Sequence, residues 1–179
     1  LLYGTNTNEK FNFFDSRKGN GIFLKEVNDQ LVSIGAYCLM SNHFHILITP
    51  VSENGLSKFM QKLSTAYSMY FNEKYKRTGG LFEGKFKSQH INNDRQLKYI
   101  FSYIHLNPVK LVDRKWKENG IKNLKNTFEY LNLYLYSSFL DYLGNDRLEK
   151  KILKLSDFPN YFPSKNSFKE EIIEWLTYR

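Results

Sequence analysis

Two apolar, β-leaning runs, Val32 to Met40 and Phe44 to Thr49, flank Ser41-Asn42 and do most to restrict the folds open to this 179-residue chain. The period changes after Pro50. Leu56, Phe59, Met60, Leu63, Tyr67, Tyr70 and Phe71 recur at three- and four-residue steps, which predicts a helix with one apolar face that ends before Thr78-Gly79-Gly80. Leu81 to Ile91 reads as a strand-like run. Asp94 is the expected N-cap of a second helix whose face carries Leu97, Ile100, Phe101 and Ile104, and Pro108 should stop it at about Asn107. Before the first strand, Gly4 to Gly21 reads as loop, with Phe11, Phe13 and Phe14 inside it and room for a short strand, and Ile22 to Leu31 as a short helix. After Leu111, the aromatic stretch Phe128 to Leu143 should pack on the core. Arg147 to Leu155 and Phe168 to Leu176 look helical, with Pro159 and Pro163 between them. Strands alternating with two good helices imply an α+β fold, helices packed on a small sheet.

The hydrophobic fraction of 41% suffices for a real core, and the length suits one domain with a C-terminal appendage. Against 18 acidic residues stand 26 Lys and Arg, giving +8 and a sequence pI near 9.4. Such a surface concentrates polyanions, nucleic acid first among them and a membrane surface second, although a net positive charge also serves solubility alone. Aromatic residues make up 17% of the chain, a supply of rings on which bases can stack. The single cysteine, Cys38, forms no intramolecular disulfide and no thiolate metal cluster, which suits a reducing cytoplasm. No apolar run approaches the roughly 20 residues of a membrane span. The opening Leu1-Leu2-Tyr3-Gly4-Thr5-Asn6 lacks the basic and apolar segments of a signal peptide, and the absence of an initiator Met points to a trimmed start.

Chemistry concentrates in three segments. In His43-Phe44-His45 the two imidazoles, at i and i+2 of a strand, point to one face and could share a divalent metal ion; a plain hydrogen-bonded surface pair is the other reading. In Tyr103-Ile104-His105-Leu106-Asn107-Pro108, Tyr103 and Asn107 lie one helical turn apart, away from the core face of Ile100 and Ile104. If that face meets the His strand, the Asn107 side-chain oxygen could become a third ligand and Tyr103 a nucleophile; otherwise Tyr103 is packing and Asn-Pro a helix stop. Cleaving a phosphodiester without losing the bond energy needs a nucleophile that leaves a covalent link, and a tyrosine phenolate does so once activated from its free pKa of about 10. A metal held by two imidazoles, an amide oxygen and water can polarise a phosphate oxygen, a shell that suits Mg2+ or Mn2+ better than Zn2+. The third segment runs from Arg77 to Lys87. There Arg77, Lys85 and Lys87 alternate with Phe82 and Phe86 among Gly79, Gly80 and Gly84, a pattern that can meet phosphates and bases or simply be a solvated surface.

Taken together, Ala36-Tyr37-Cys38-Leu39-Met40-Ser41-Asn42-His43-Phe44-His45-Ile46-Leu47, the Arg77 to Lys87 block, Tyr103 to Lys110 and Tyr136-Ser137-Ser138-Phe139 resemble the single-tyrosine HUH transposases, in particular the branch associated with repetitive extragenic palindromes in bacteria. The resemblance runs from about Ala36 to Tyr142. It implies a ferredoxin-like antiparallel sheet with helices packed on it, His43 and His45 as metal ligands, Tyr103 as nucleophile, Asn107 as third ligand and a 5′-phosphotyrosine intermediate. It further implies single-stranded or hairpin DNA as substrate, Mg2+ or Mn2+ as cofactor, a monomer or homodimer without a membrane partner, and a nucleoid-associated place in a bacterial or archaeal cytoplasm. The catalytic domain would span residues 1–143, with 144–179 a helical extension that packs on the core or contacts DNA. Ser41 stands where the family usually has proline, and the N-terminal part is shorter and more irregular than the usual opening strand and helix. His90 and His105 are expected to be packing, solvent or DNA-contact residues. Two other activities fit the same residues: a descendant that binds hairpins without cutting, and a metal nuclease that uses water in place of Tyr103.

Overall fold

The computed structural model describes residues 1–10 and 21–178, so Phe11, Phe13 and Phe14 and any strand around them lie outside the described residues. The two β-leaning runs form strands β1, Val32–Leu39, and β2, Phe44–Pro50, paired in a two-stranded antiparallel sheet. The Met40 amide donates to the His43 carbonyl at 2.8 Å and closes the turn that Ser41-Asn42 marks in the sequence. Every residue of β1 except Leu39 is buried, which is why it reads as a nearly continuous apolar run rather than an alternating one. Its free edge is covered by chain from further on. Cys38 forms an antiparallel bridge with Ser137, the Leu39 amide donates to the Tyr136 carbonyl at 2.8 Å, and the Ser138 amide donates to that of Tyr37 at 3.0 Å. Covering an edge in this way satisfies its backbone groups and prevents stray pairing.

The chain divides into two compact units, Leu1–Ser33 with Ile48–His90 and Ile34–Leu47 with Ile91–Arg179, so the boundaries fall inside the two strands. In the first unit, helix α1, Gly55–Lys74, buries Phe59, Met60, Leu63 and Ala66. The apolar face read from the sequence is correct only over its first half, because Tyr67 and Tyr70 are 39% and 40% exposed. Gly55 is required where α1 begins, since a methyl group there would collide with the Leu31 carbonyl. The short helix expected over 22–31 is only a 3₁₀ turn at 21–24, followed by loop. The strand expected over Leu81 to Ile91 does not form. Residues 82–90 are all exposed in irregular backbone; Gly79, Gly80 and Gly84 disfavour a fixed extended chain.

The second unit is mainly helical around two apolar clusters. Helix α2, Asp94–Leu106, is capped by Asn93 rather than Asp94: the Asn93 Oδ1 accepts from the Gln96 amide at 3.1 Å. Asp94 instead accepts from the Tyr161 hydroxyl at 2.5 Å. After Pro108 come the short helices α3, Val109–Val112, and α4, Trp116–Asn119, then α5, Leu124–Leu133, α6, Phe139–Tyr142, and α7, Lys165–Thr177. The segment 147–155 is 3₁₀ rather than α-helical, in turns at Leu148–Ile152 and Leu155–Asp157. Ser164 and Ser167 form a capping box at the start of α7, and Phe168, Ile172 and Leu176, spaced one turn apart, enter one cluster with Leu106, Val109, Leu131 and Phe139. Each such side chain contributes roughly 1.5–3 kcal/mol by leaving water, so α7 is part of the core. The other cluster sets Phe101 and Ile104 of α2 against Ala36, Cys38 and Leu47 of the strands, and this contact carries α2 to the sheet.

Two buried polar groups hold this unit together. Arg147 meets Asp141 through Nε at 2.8 Å and Nη2 at 2.6 Å, and also donates to the Tyr37 hydroxyl and to the Ser137 and Leu135 carbonyls. The Asp141 side chain is 1% exposed, so removing its partner strands a buried carboxylate. Arg147→Ala is therefore expected to cost about 3–5 kcal/mol, read as a lower urea midpoint; an unchanged midpoint would mean that water replaces the guanidinium without loss. His105 is fully buried with its Nε2 at 2.7 Å from Ser138 Oγ. Burial pushes its pKa down to about 3, with only partial compensation from the Phe101 carbonyl. A depressed histidine pKa means that the unfolded chain binds the proton more readily. The stability this group contributes is complete above about pH 6.5 and is lost as pH falls from there toward 3, by a few kcal/mol in all. In His105→Gln, that part of the decline in thermal midpoint below neutrality should be absent.

Candidate active site

The turn after β1 and the start of β2 bring His43 and His45 to one side. Their ring centroids are 5.1 Å apart in an edge-to-face arrangement at 87°. The Nδ1 of His43 lies 2.7 Å from the Asn42 side-chain oxygen, which orients the exposed ring. His45 is half-buried. Its pKa is lowered by that burial, and further by the charges of His43 and Lys110, so the ring favours the neutral form that can ligate a metal.

Helix α2 supplies the other half of the site. Because Phe101 and Ile104 anchor its inner face to the strands, Tyr103 stands beside the histidines, its ring centroid 5.4 Å from that of His45. Asn107, one turn later, is 2% exposed and donates from Nδ2 to the Tyr103 carbonyl at 2.8 Å. Its Oδ1 is buried and has no hydrogen-bond partner among the described residues. A buried acceptor of this kind leaves room for a donor such as water. Among the described residues no group of three or more His, Cys, Asp and Glu could hold a metal ion. The structure brings the two imidazoles together beside Tyr103; the Asn107 oxygen lies one turn further along α2, with no described contact to either imidazole. Two neighbouring imidazoles and an amide oxygen are donor types that suit a divalent cation.

Three features of the site were not singled out from the sequence. The Lys110 and Lys117 ammonium groups lie 5.8 and 4.6 Å from the Tyr103 ring centroid, bringing two positive charges to the tyrosine. Tyr99, one turn earlier on α2, has its ring 6.0 Å from that of Tyr103. Tyr103 is also one wall of a pocket of about 180 Å³ that Tyr99, Trp116, Lys117, Trp175 and Tyr178 help to line. Lys110 could have been noticed, since it closes the motif that begins at Tyr103. Trp175 could not, because 72 positions separate it from Tyr103 and only the packing of α7 on α2 unites them.

The basic segment belongs to the first unit. Lys85 and Lys87 are exposed, and Phe82 and Phe86 are each 40% exposed. Arg77 turns back on its own neighbourhood, donating to the Gly80 carbonyl at 3.3 Å with its guanidinium 5.6 Å from the Phe71 ring centroid. Phe82 lies 6.1 Å from Tyr67, which itself neighbours Tyr70 and Phe71. The exposed aromatic residues late in α1 thus join this segment in a surface of rings and cations, which explains why they are not core.

A model of the protein family described as "Transposase IS200 like" matches residues 11–107, more than half of the chain, including both histidines, Tyr103 and Asn107. No curated protein and no solved structure matches the chain.

Proposed function

The chain belongs to the IS200-like transposases, and from that premise we propose that it cuts and rejoins single-stranded or hairpin DNA through a 5′-phosphotyrosine on Tyr103. The observation that carries this reading is the approach of Tyr103 to His45 at 5.4 Å with His43 alongside. In this reading the two strands belong to a ferredoxin-like HUH sheet, residues 1–143 form the catalytic domain and 144–179 a helical extension.

His43, His45 and the Asn107 oxygen would hold Mg2+ or Mn2+. When bound, the ion would polarise the scissile phosphate and steady its developing charge. Tyr103 gives up its phenolic proton and its oxygen bonds to phosphorus as the bond from phosphorus to the 3′ oxygen breaks. One strand leaves with a free 3′-OH; the other stays on the tyrosine by its 5′-phosphate. Attack on that linkage by another 3′-OH restores a phosphodiester and frees the tyrosine, so strand transfer needs no ATP. Lys110 and Lys117 are close enough to attract the incoming phosphate. Arg77, Lys85, Lys87, Phe82 and Phe86 would contact the DNA, with affinity that falls as salt rises. Among the described residues no helix is long and apolar enough to cross a membrane. A nucleoid-associated protein, monomeric or dimeric, fits this role.

The test is incubation with end-labelled hairpin DNA carrying the flanks of the protein's own locus, with Mg2+ or Mn2+, followed by a denaturing gel. A metal-dependent protein–DNA adduct is expected. A free 5′-phosphate without an adduct would make the protein a water-using nuclease. Binding without cutting, over several hairpins and both metals, would make it a non-cutting hairpin-binding descendant.

A further inference from the structure

The pocket beside Tyr103 has features that the cleavage chemistry alone does not require. Tyr99, Trp116, Trp175 and Tyr178 give it aromatic walls, and the two tryptophans are the whole complement of the chain. Trp175 is held in place. Its Nε1 donates to Glu171 at 2.8 Å, Glu171 pairs with Lys98 of α2 at 2.7 Å, and the Trp175 ring lies 5.0 Å from Tyr99 at 59°. An indole fixed by such a chain loses little freedom when a flat ligand stacks on it. Lys117 adds a cation, 4.6 Å from the Tyr103 ring and 5.6 Å from the Trp116 ring.

Flat π-surfaces next to a cation suit a planar heterocycle attached to a phosphate. We propose that this pocket takes one unstacked nucleobase of the nucleotide adjoining the phosphate that Tyr103 attacks, with Lys117 contacting that nucleotide's backbone. The inference rests on the transposase reading and adds a positioning role to it. Aromatic stacking accepts every base, and a base withdrawn from its neighbours into the pocket fixes the adjoining phosphate against Tyr103. Trp175 and Tyr99 are positioning residues in this scheme. At about 180 Å³ the pocket has room for one base.

Because both tryptophans line the pocket, intrinsic fluorescence reports on it without any cleavage. Tyr103→Phe protein, which keeps the ring wall, is titrated in Mg2+ with short single strands from the hairpin flank, with an abasic nucleotide walked along the strand. Quenching is expected with intact DNA, and one abasic position should quench less and bind roughly tenfold more weakly. Trp175→Ala should bind intact DNA roughly tenfold more weakly and be indifferent to that abasic position, while Trp175→Phe restores most of the discrimination. The proposal is overturned if no abasic position matters, or if Trp175→Ala weakens intact and abasic strands equally. The cleavage gel keeps the two claims separate. Normal adduct formation by the wild type with no abasic discrimination removes the pocket's role and leaves the transposase. Discrimination in a protein that never forms an adduct removes the cleavage reading and leaves the pocket.

Discussion

Tyr103→Phe is expected to lower the rate of DNA cleavage by at least about 10³-fold and to eliminate the covalent adduct, while hairpin binding stays within a factor of a few. The substitution removes one oxygen. The ring remains, with its contacts to His45, Tyr99 and the Lys117 ammonium group, so the fold has no reason to change. No hydrogen bond of the tyrosine hydroxyl stabilises the described structure; the bond made at this residue runs from Asn107 to its backbone carbonyl and survives the change. A matched pair of measurements, adduct yield and binding affinity, separates chemistry from recognition. Loss of both together would place Tyr103 in DNA binding or packing.

The second large effect is expected at the histidines. His45→Ala removes the half-buried imidazole whose surroundings keep it neutral, and should reduce metal-dependent cleavage on the order of 10²–10³-fold. His43→Ala should act in the same direction, and the double variant should be little worse than either single one, because one lost ligand already opens the site. Mn2+ binding followed by electron paramagnetic resonance gives a readout free of DNA. Both variants should weaken it, and Asn107→Ala should do so to a smaller degree while removing the orphaned Oδ1. Unchanged Mn2+ affinity in His45→Ala would leave the pair as an aromatic contact only.

Much of this site was legible in the sequence because its geometry is local. His45 lies on β2 and His43 just before it, in the turn, so the two-residue spacing still sets them on one side, and 3.6 residues per turn align Tyr103 with Asn107. The apolar face of α2, with Phe101 and Ile104, was equally readable, and it docks this helix on the strands. The errors arose where a local pattern is satisfied in more than one way. Tyr67 and Tyr70 have the spacing of core residues, yet a tyrosine carries both an apolar ring and a polar end, and here the rings join an exposed surface with Phe82. Residues 81–91 alternate as a strand does, but Gly84 interrupts the side that carries Phe82 and Phe86, and Phe82 lies instead beside Tyr67 of α1. Either Asn93 or Asp94 could cap α2 by residue type, and the bond from the Gln96 amide selects Asn93. The pocket residues Lys117 and Trp175 lay beyond any periodicity, since long-range packing alone brings them to Tyr103.

Mapping the attachment site shows whether Tyr103 itself becomes bonded to DNA. The adduct formed on hairpin DNA with Mg2+ or Mn2+ would be trapped, digested with protease and nuclease, and sequenced by mass spectrometry. A 5′-linked nucleotide on Tyr103 is expected. A linkage on Tyr99, whose ring lies 6.0 Å away, or cleavage with no peptide-linked nucleotide at all, would contradict it.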